Sequence, residues 1–67
     1  MTFGENLFNL RKEKKWSQQE LALRVRVSQQ CVSQWEHDLI EPTLTYLLRL
    51  ADLFDISLDE LAGREKP

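Results

Sequence analysis

Only three residues, Arg26-Val27-Ser28, separate two stretches of this chain that read as helices. The first stretch opens on Ser17-Gln18-Gln19-Glu20, a capping box. The Ser hydroxyl accepts an orphan N–H of the first turn, and the Glu reaches back to the cap. Leu21, Ala22 and Val25 then recur on one helical stripe. In the second stretch Val32 and Trp35 are spaced by three. A connection this short forces the two helices to cross steeply. Val27, an apolar residue inside the turn, is placed to plug the angle between them.

The same signals continue along the chain. Phe3, Leu7 and Leu10 recur at i, i+4, i+7. Thr43 follows Pro42 and precedes Leu44, which reads as an N-cap. Leu44, Leu47, Leu48, Ala51 and Phe54 make the clearest apolar stripe. Ser57-Leu58-Asp59-Glu60 is a second capping box, opening a short helix that carries Leu58 and Leu61. The expected fold is all-α: a compact bundle of five helices near residues 3–14, 18–25, 29–37, 44–54 and 58–62, with a helix-turn-helix at its centre. A chain of 67 residues holds one small domain. Its expected extent is 1–62, with 63–67 as a flexible tail.

Some classes fall away. No apolar run approaches the roughly 20 residues of a membrane span, so no membrane partner is expected. No apolar segment follows a basic start, so no secretory signal is expected. Cys31 stands alone and cannot form an internal disulfide, and a reduced, cytoplasmic setting is the default. His37 lies six residues beyond Cys31, about 240° round a helix, so the two do not meet. One Cys and one His make no zinc site, and no phosphate-cradling Gly-rich loop is present. No enzyme constellation is found, and no cofactor or metal is expected.

The net charge of −2 argues against a nucleic-acid partner, but its distribution argues the other way. Residues 1–37 hold six basic and four acidic residues, whereas 38–67 hold three basic and seven acidic. The basic half also contains Gln29, Gln30, Ser33 and Gln34. Stepping about 100° per residue from Gln29 puts Ser33 near ~40°, Gln30 near ~100° and Gln34 near ~140°. Cys31, Trp35 and Val32 fall near ~200°, ~240° and ~300°. One arc is apolar. The other is polar without a single charge, where a solvated face would carry Glu and Lys. A glutamine amide offers a donor and an acceptor in one plane, complementary to N7 and N6 of adenine in the major groove. The pattern also fits a plain exposed face that is rich in Gln.

Residues 18–37, QQELALRVRVSQQCVSQWEH, resemble the helix-turn-helix of the Cro/repressor (XRE-like) family of DNA-binding proteins. LRKEKKWSQQELA resembles that family's first helix junction, and EPTLTYLLRLADLFDISLDEL its last two helices. SQQCVSQ is similar to recognition helices of lambdoid phage repressors. The resemblance covers roughly residues 3 to 62. It implies a lambda-repressor-like domain binding double-stranded DNA sequence-specifically, in a transcriptional regulator, a repressor, that is prokaryotic or phage-encoded and nucleoid-associated.

By position, the resemblance makes Gln29, Gln30, Ser33 and Gln34 base-facing and Gln18 a phosphate ligand at a helix N-terminus. Ser28, Arg26 and Lys15 are expected to add phosphate contacts. Arg11 and Glu36 match a family ion pair between the first helix and the end of the third. The chain departs from the pattern in the turn, where the family favours Gly and this sequence has Arg26. Either the turn bends differently, or Arg26 compensates with a phosphate contact. Phe8 stands where the family has a polar residue.

One recognition helix covers only a few base pairs, so a two-fold dimer on a palindromic operator is expected, with a self-contact near Leu39, Ile40 and the last two helices. The competing reading is a protein-interaction or antitoxin-type helical module.

Overall fold

The structure, a computed structural model, describes residues 1–63. The chain is built from locally capped helices. Thr2 opens α1 (Phe3–Glu13), its hydroxyl accepting from the Glu5 N–H while the Glu5 carboxylate takes the Thr2 N–H. Ser17 and Glu20 make the same reciprocal box at α2 (Gln18–Val25). Ser28 caps α3 (Gln29–Glu36) through the Cys31 N–H. Thr43 has the extended backbone of an N-cap before α4 (Leu44–Phe54), but its side chain caps nothing. At α5 (Leu58–Ala62) half of the expected box forms: Ser57 accepts from the Glu60 N–H, and the Glu60 carboxylate takes the Ser57 hydroxyl in place of the backbone.

Four helix ends share one device. Lys15, Arg26, Asp38 and Asp55 all adopt positive φ, between 57° and 64°. In each case the next residue's N–H bonds back to a carbonyl five residues earlier: Trp16 to Arg11, Val27 to Ala22, Leu39 to Gln34 and Ile56 to Ala51. This closes the last turn as glycine ordinarily would. With a Cβ present, each left-handed residue costs about 1 kcal/mol, less for Asp than for Lys or Arg. Three of the four following residues, Trp16, Val27 and Ile56, pack against the core, which offsets that cost.

α3 lies across α2 and α1, α5 packs on α1 and α4, and α4 closes on α2. Leu7, Leu21, Val25, Val32, Trp35, Leu50 and Leu61 are fully buried. Trp16 is half-buried, its ring 5.7 Å from that of Phe54. The α4 stripe is wider than its core face: Leu50, Ala51 and Phe54 are buried, whereas Leu44 and Leu48 remain 64% and 47% exposed. Cys31, on the apolar arc of α3, is half-buried rather than buried. No helix of the described residues is long and apolar enough to cross a membrane. Of the expected tail, residues 64–67 lie outside the described residues.

Candidate nucleic-acid interface

The centre of the site is a buried ion pair. Arg11 Nε donates to Glu36 Oε2 at 2.6 Å and Nη2 to Oε1 at 3.1 Å, with side chains 8% and 3% exposed. The remaining guanidinium nitrogen, Nη1, donates to the Trp16 carbonyl at 2.8 Å. One side chain thus ties α1 to the end of α3 and to the α1–α2 turn. The planar fork of arginine suits this bidentate contact.

Gln18 joins the same pair: its Nε2 donates to Glu36 Oε1 at 3.0 Å. An amide nitrogen has two hydrogens, so the second stays free to donate outward. Gln18 is therefore held at the α2 N-terminus by a buried carboxylate. It borders an open groove of about 620 Å³ lined by Lys12, Lys15, Ser17 and Gln29 among others. Two ammonium groups, a helix N-terminus and Gln29 suit an anionic ligand, and the carboxylate on the groove that no arginine pairs, Glu20, is engaged by the Ser17 N–H. Phe8, 43% exposed, lies beneath the cations of Arg11 and Lys12, at 5.2 and 5.7 Å from its ring centroid.

The expected base-facing residues separate into two pairs. Gln29 and Gln30 are exposed at the start of α3, while Ser33 and Gln34 are half-buried. All four lie on the face away from Val32 and Trp35, which are buried. Of the expected phosphate ligands, Lys15 and Arg26 are exposed and left-handed, one at each end of α2. The turn thus keeps the bend that glycine would favour, and Arg26 bears the strain. The Ser28 oxygen accepts a helix N–H, which leaves its hydroxyl hydrogen available to donate to a phosphate.

Gly4 escaped the sequence reading, in which His37 figures only as a partner for Cys31. Gly4 packs so closely on α3 that a Cβ there would come within 2.7 Å of the Trp35 carbonyl oxygen. His37 caps α3, its Nδ1 2.8 Å from the Ser33 carbonyl oxygen. The angular step that places the glutamines would have found it, at about 80° from Gln29.

The titratable groups resolve into structural roles. The Asp38 carboxyl is held below its ordinary range by the Thr2 hydroxyl and by the Gly4 N–H, which donates at 2.9 Å. The Glu5 carboxyl is lowered chiefly by the Thr2 N–H, which it accepts at 3.0 Å. Burial pushes the Cys31 thiol up, the opposite of what a reactive thiolate needs.

Two short helices packed together across the left-handed turn at Arg26, the second presenting exposed glutamines beside a groove that carries Lys12 and Lys15, define a helix-turn-helix domain. Residues 7–61 match the helix-turn-helix family of the XRE type, and the chain belongs to it. The HTH-type transcriptional regulator AnsR of Bacillus subtilis is 42% identical over 62 residues. That match covers 92% of this chain and 53% of AnsR, so the chain spans about half that regulator's length. Among solved structures, the P22 c2 repressor in complex with a synthetic operator superposes with a TM-score of 0.90 at 34% identity, covering 97% of this chain and 98% of that one. The restriction-modification controller protein C.AhdI of Aeromonas hydrophila superposes with a TM-score of 0.80 at 34% identity, covering 88% and 89%.

Proposed function

We propose that the domain binds double-stranded DNA sequence-specifically, with α3 in the major groove, and serves a transcriptional regulator that represses by occupying its operator. The observation that carries this reading is the exposed, uncharged Gln29–Gln30 pair at the start of α3, beside a groove lined by Lys12 and Lys15. Gln29 and Gln30 read base edges, with Ser33 and Gln34 deeper on the same face. Gln18, Ser28, Lys15 and Arg26 hold phosphates on either side. Arg11 and Glu36 keep the two surfaces in register and touch no DNA. The operator complex of the P22 c2 repressor supports the reading by analogy. The domain has no catalytic role in it, and the setting is the bacterial cytoplasm.

A palindromic operator follows from size. A single module buries too little surface for tight specific binding. Two copies one helical turn apart, roughly 34 Å, read two half-sites. The domain's own extents, 34 × 23 × 21 Å, let two copies at that spacing meet. The contact falls on Leu39, which is 72% exposed, Ile40 and the outer leucines of α4. The acidic charge of this half makes the dimer weak off DNA.

Those same leucines favour the second reading, an interaction module for another protein. Salt separates the two, because phosphate contacts give a steep fall of affinity with salt and an apolar interface does not. The test is selection of duplexes from a random pool, followed by titration of the Gln29→Ala and Gln30→Ala variants. Each variant should lose about 1–3 kcal/mol on the selected site and almost nothing on random DNA. Wild-type binding by both variants removes the base-reading role. A stoichiometry of one chain on the best site removes the dimer.

A further inference from the structure

We propose that His37 is a proton-gated phosphate contact at the C-terminal end of α3, able to hold a DNA phosphodiester only when its imidazole is protonated. This inference rests on the DNA-binding reading above. His37 is exposed and lies eight residues after Gln29, at about 80°, between Ser33 and Gln30 on the outward arc. Its Nδ1 sits 2.8 Å from the Ser33 carbonyl oxygen. A carbonyl oxygen only accepts, so Nδ1 carries a hydrogen whether the ring is neutral or charged. In the neutral ring the other nitrogen, Nε2, is then bare and can only accept. A phosphate oxygen also only accepts, so the neutral ring has nothing to offer it. Protonation at Nε2 supplies both a donor and a positive charge. Among the described residues Nε2 has no protein partner.

The surrounding charges sharpen the gate. His37 shares a groove of about 320 Å³ with Glu5, Phe8 and Asn9 of α1, Gln18 of α2 and its own neighbour Glu36, and Asp38 follows it in the chain. Glu36 is neutralised by Arg11. Glu5 and Asp38 are held ionised by the hydrogen bonds they accept. These two carboxylates repel a phosphate while His37 is neutral. DNA binding should therefore strengthen as pH falls through the range in which histidine gains its proton. His37 is the only histidine in the sequence, so no other imidazole can produce the effect.

The experiment measures fluorescence-anisotropy titrations of the full chain on a selected and an unrelated duplex, at about pH 8 and about pH 5.5 and fixed ionic strength. A charge-assisted contact predicts binding about 3–10-fold tighter at the lower pH on both duplexes. The slope of log affinity against log salt should steepen by about 0.9. His37→Gln should lose the pH response, and His37→Arg should bind tightly at both values. Circular dichroism shows that each variant is folded. A pH gain that survives in His37→Gln, a wild-type protein without one, or a gain confined to the selected duplex overturns the proposal. A wild type that binds no duplex at either pH overturns the DNA-binding reading itself, whereas pH-independent binding overturns only the role of His37.

Discussion

Glu36→Gln should destabilise this domain by about 3 kcal/mol, toward the lower end of the 3–5 kcal/mol for breaking a buried ion pair. The carboxylate has two acceptor oxygens. One takes Arg11 Nε, and the other takes both Arg11 Nη2 and Gln18 Nε2. An amide in the same place has one oxygen and one NH2, so whichever way it turns, at least one donor faces another donor. Arg11, with a side chain 8% exposed, keeps its charge without a counter-ion. Two contacts soften the loss: the Trp16 carbonyl still accepts from Nη1, and the Phe8 ring still lies 5.2 Å from the guanidinium. Domains are stable by about 0.05–0.15 kcal/mol per residue, or roughly 3–10 kcal/mol at this length, so a third or more of the total is at stake. The thermal midpoint should fall by about 12–24 °C, at about 4–8 °C per kcal/mol. The assay is thermal and urea unfolding followed by circular dichroism for wild type, Glu36→Gln, Arg11→Met and the double variant. The double variant should lose less than the sum of the two singles by more than about 1 kcal/mol, because its second change removes the orphaned charge. A midpoint for Glu36→Gln within about 3 °C of wild type, or additive losses, would refute the reasoning.

Three further outcomes are expected. Gly4→Ala should cost about 1–3 kcal/mol in urea unfolding, although alanine favours helices, because the new Cβ meets the immobile backbone of Trp35 and Glu36. Arg26→Gly should raise stability by up to about 1 kcal/mol by relieving the φ of 64°. The same variant should flatten the salt dependence of DNA binding by about one phosphate contact, and an unchanged slope would remove Arg26 from the interface. Asp38 has a lowered carboxyl in the folded state, so its contribution is full above the ordinary carboxylate range, near pH 4, and is lost as pH falls through the folded value. Unfolding midpoints of Asp38→Asn between about pH 4.5 and 2.5 should therefore fall less steeply than those of wild type.

The helices were legible in the sequence because their signals are local. A cap joins residues three apart, as in Ser17 with Glu20, and an apolar stripe repeats within two turns, as in Leu21, Ala22 and Val25. The five expected spans match the observed ones to within a residue at each end. The split of α3 into a glutamine arc and an apolar arc follows from the same local geometry. Tertiary structure decided the rest, where the partner lies far along the chain. Leu44 and Leu48 share a stripe with Leu47 and Ala51, but only the surface met by another helix is covered, and no local signal says which. Gly4 reads as a poor helix former until α3 arrives 32 residues later with the Glu36 carbonyl against it. Gln18 reads as an outward amide until Glu36 claims one of its hydrogens. Lys15, Arg26 and Asp55 end helices where no glycine announces a left-handed turn, because there the conformation is held by the packing of the apolar residue that follows, whereas Asp38 is of a residue type that tolerates it. That packing exists only once the bundle has closed.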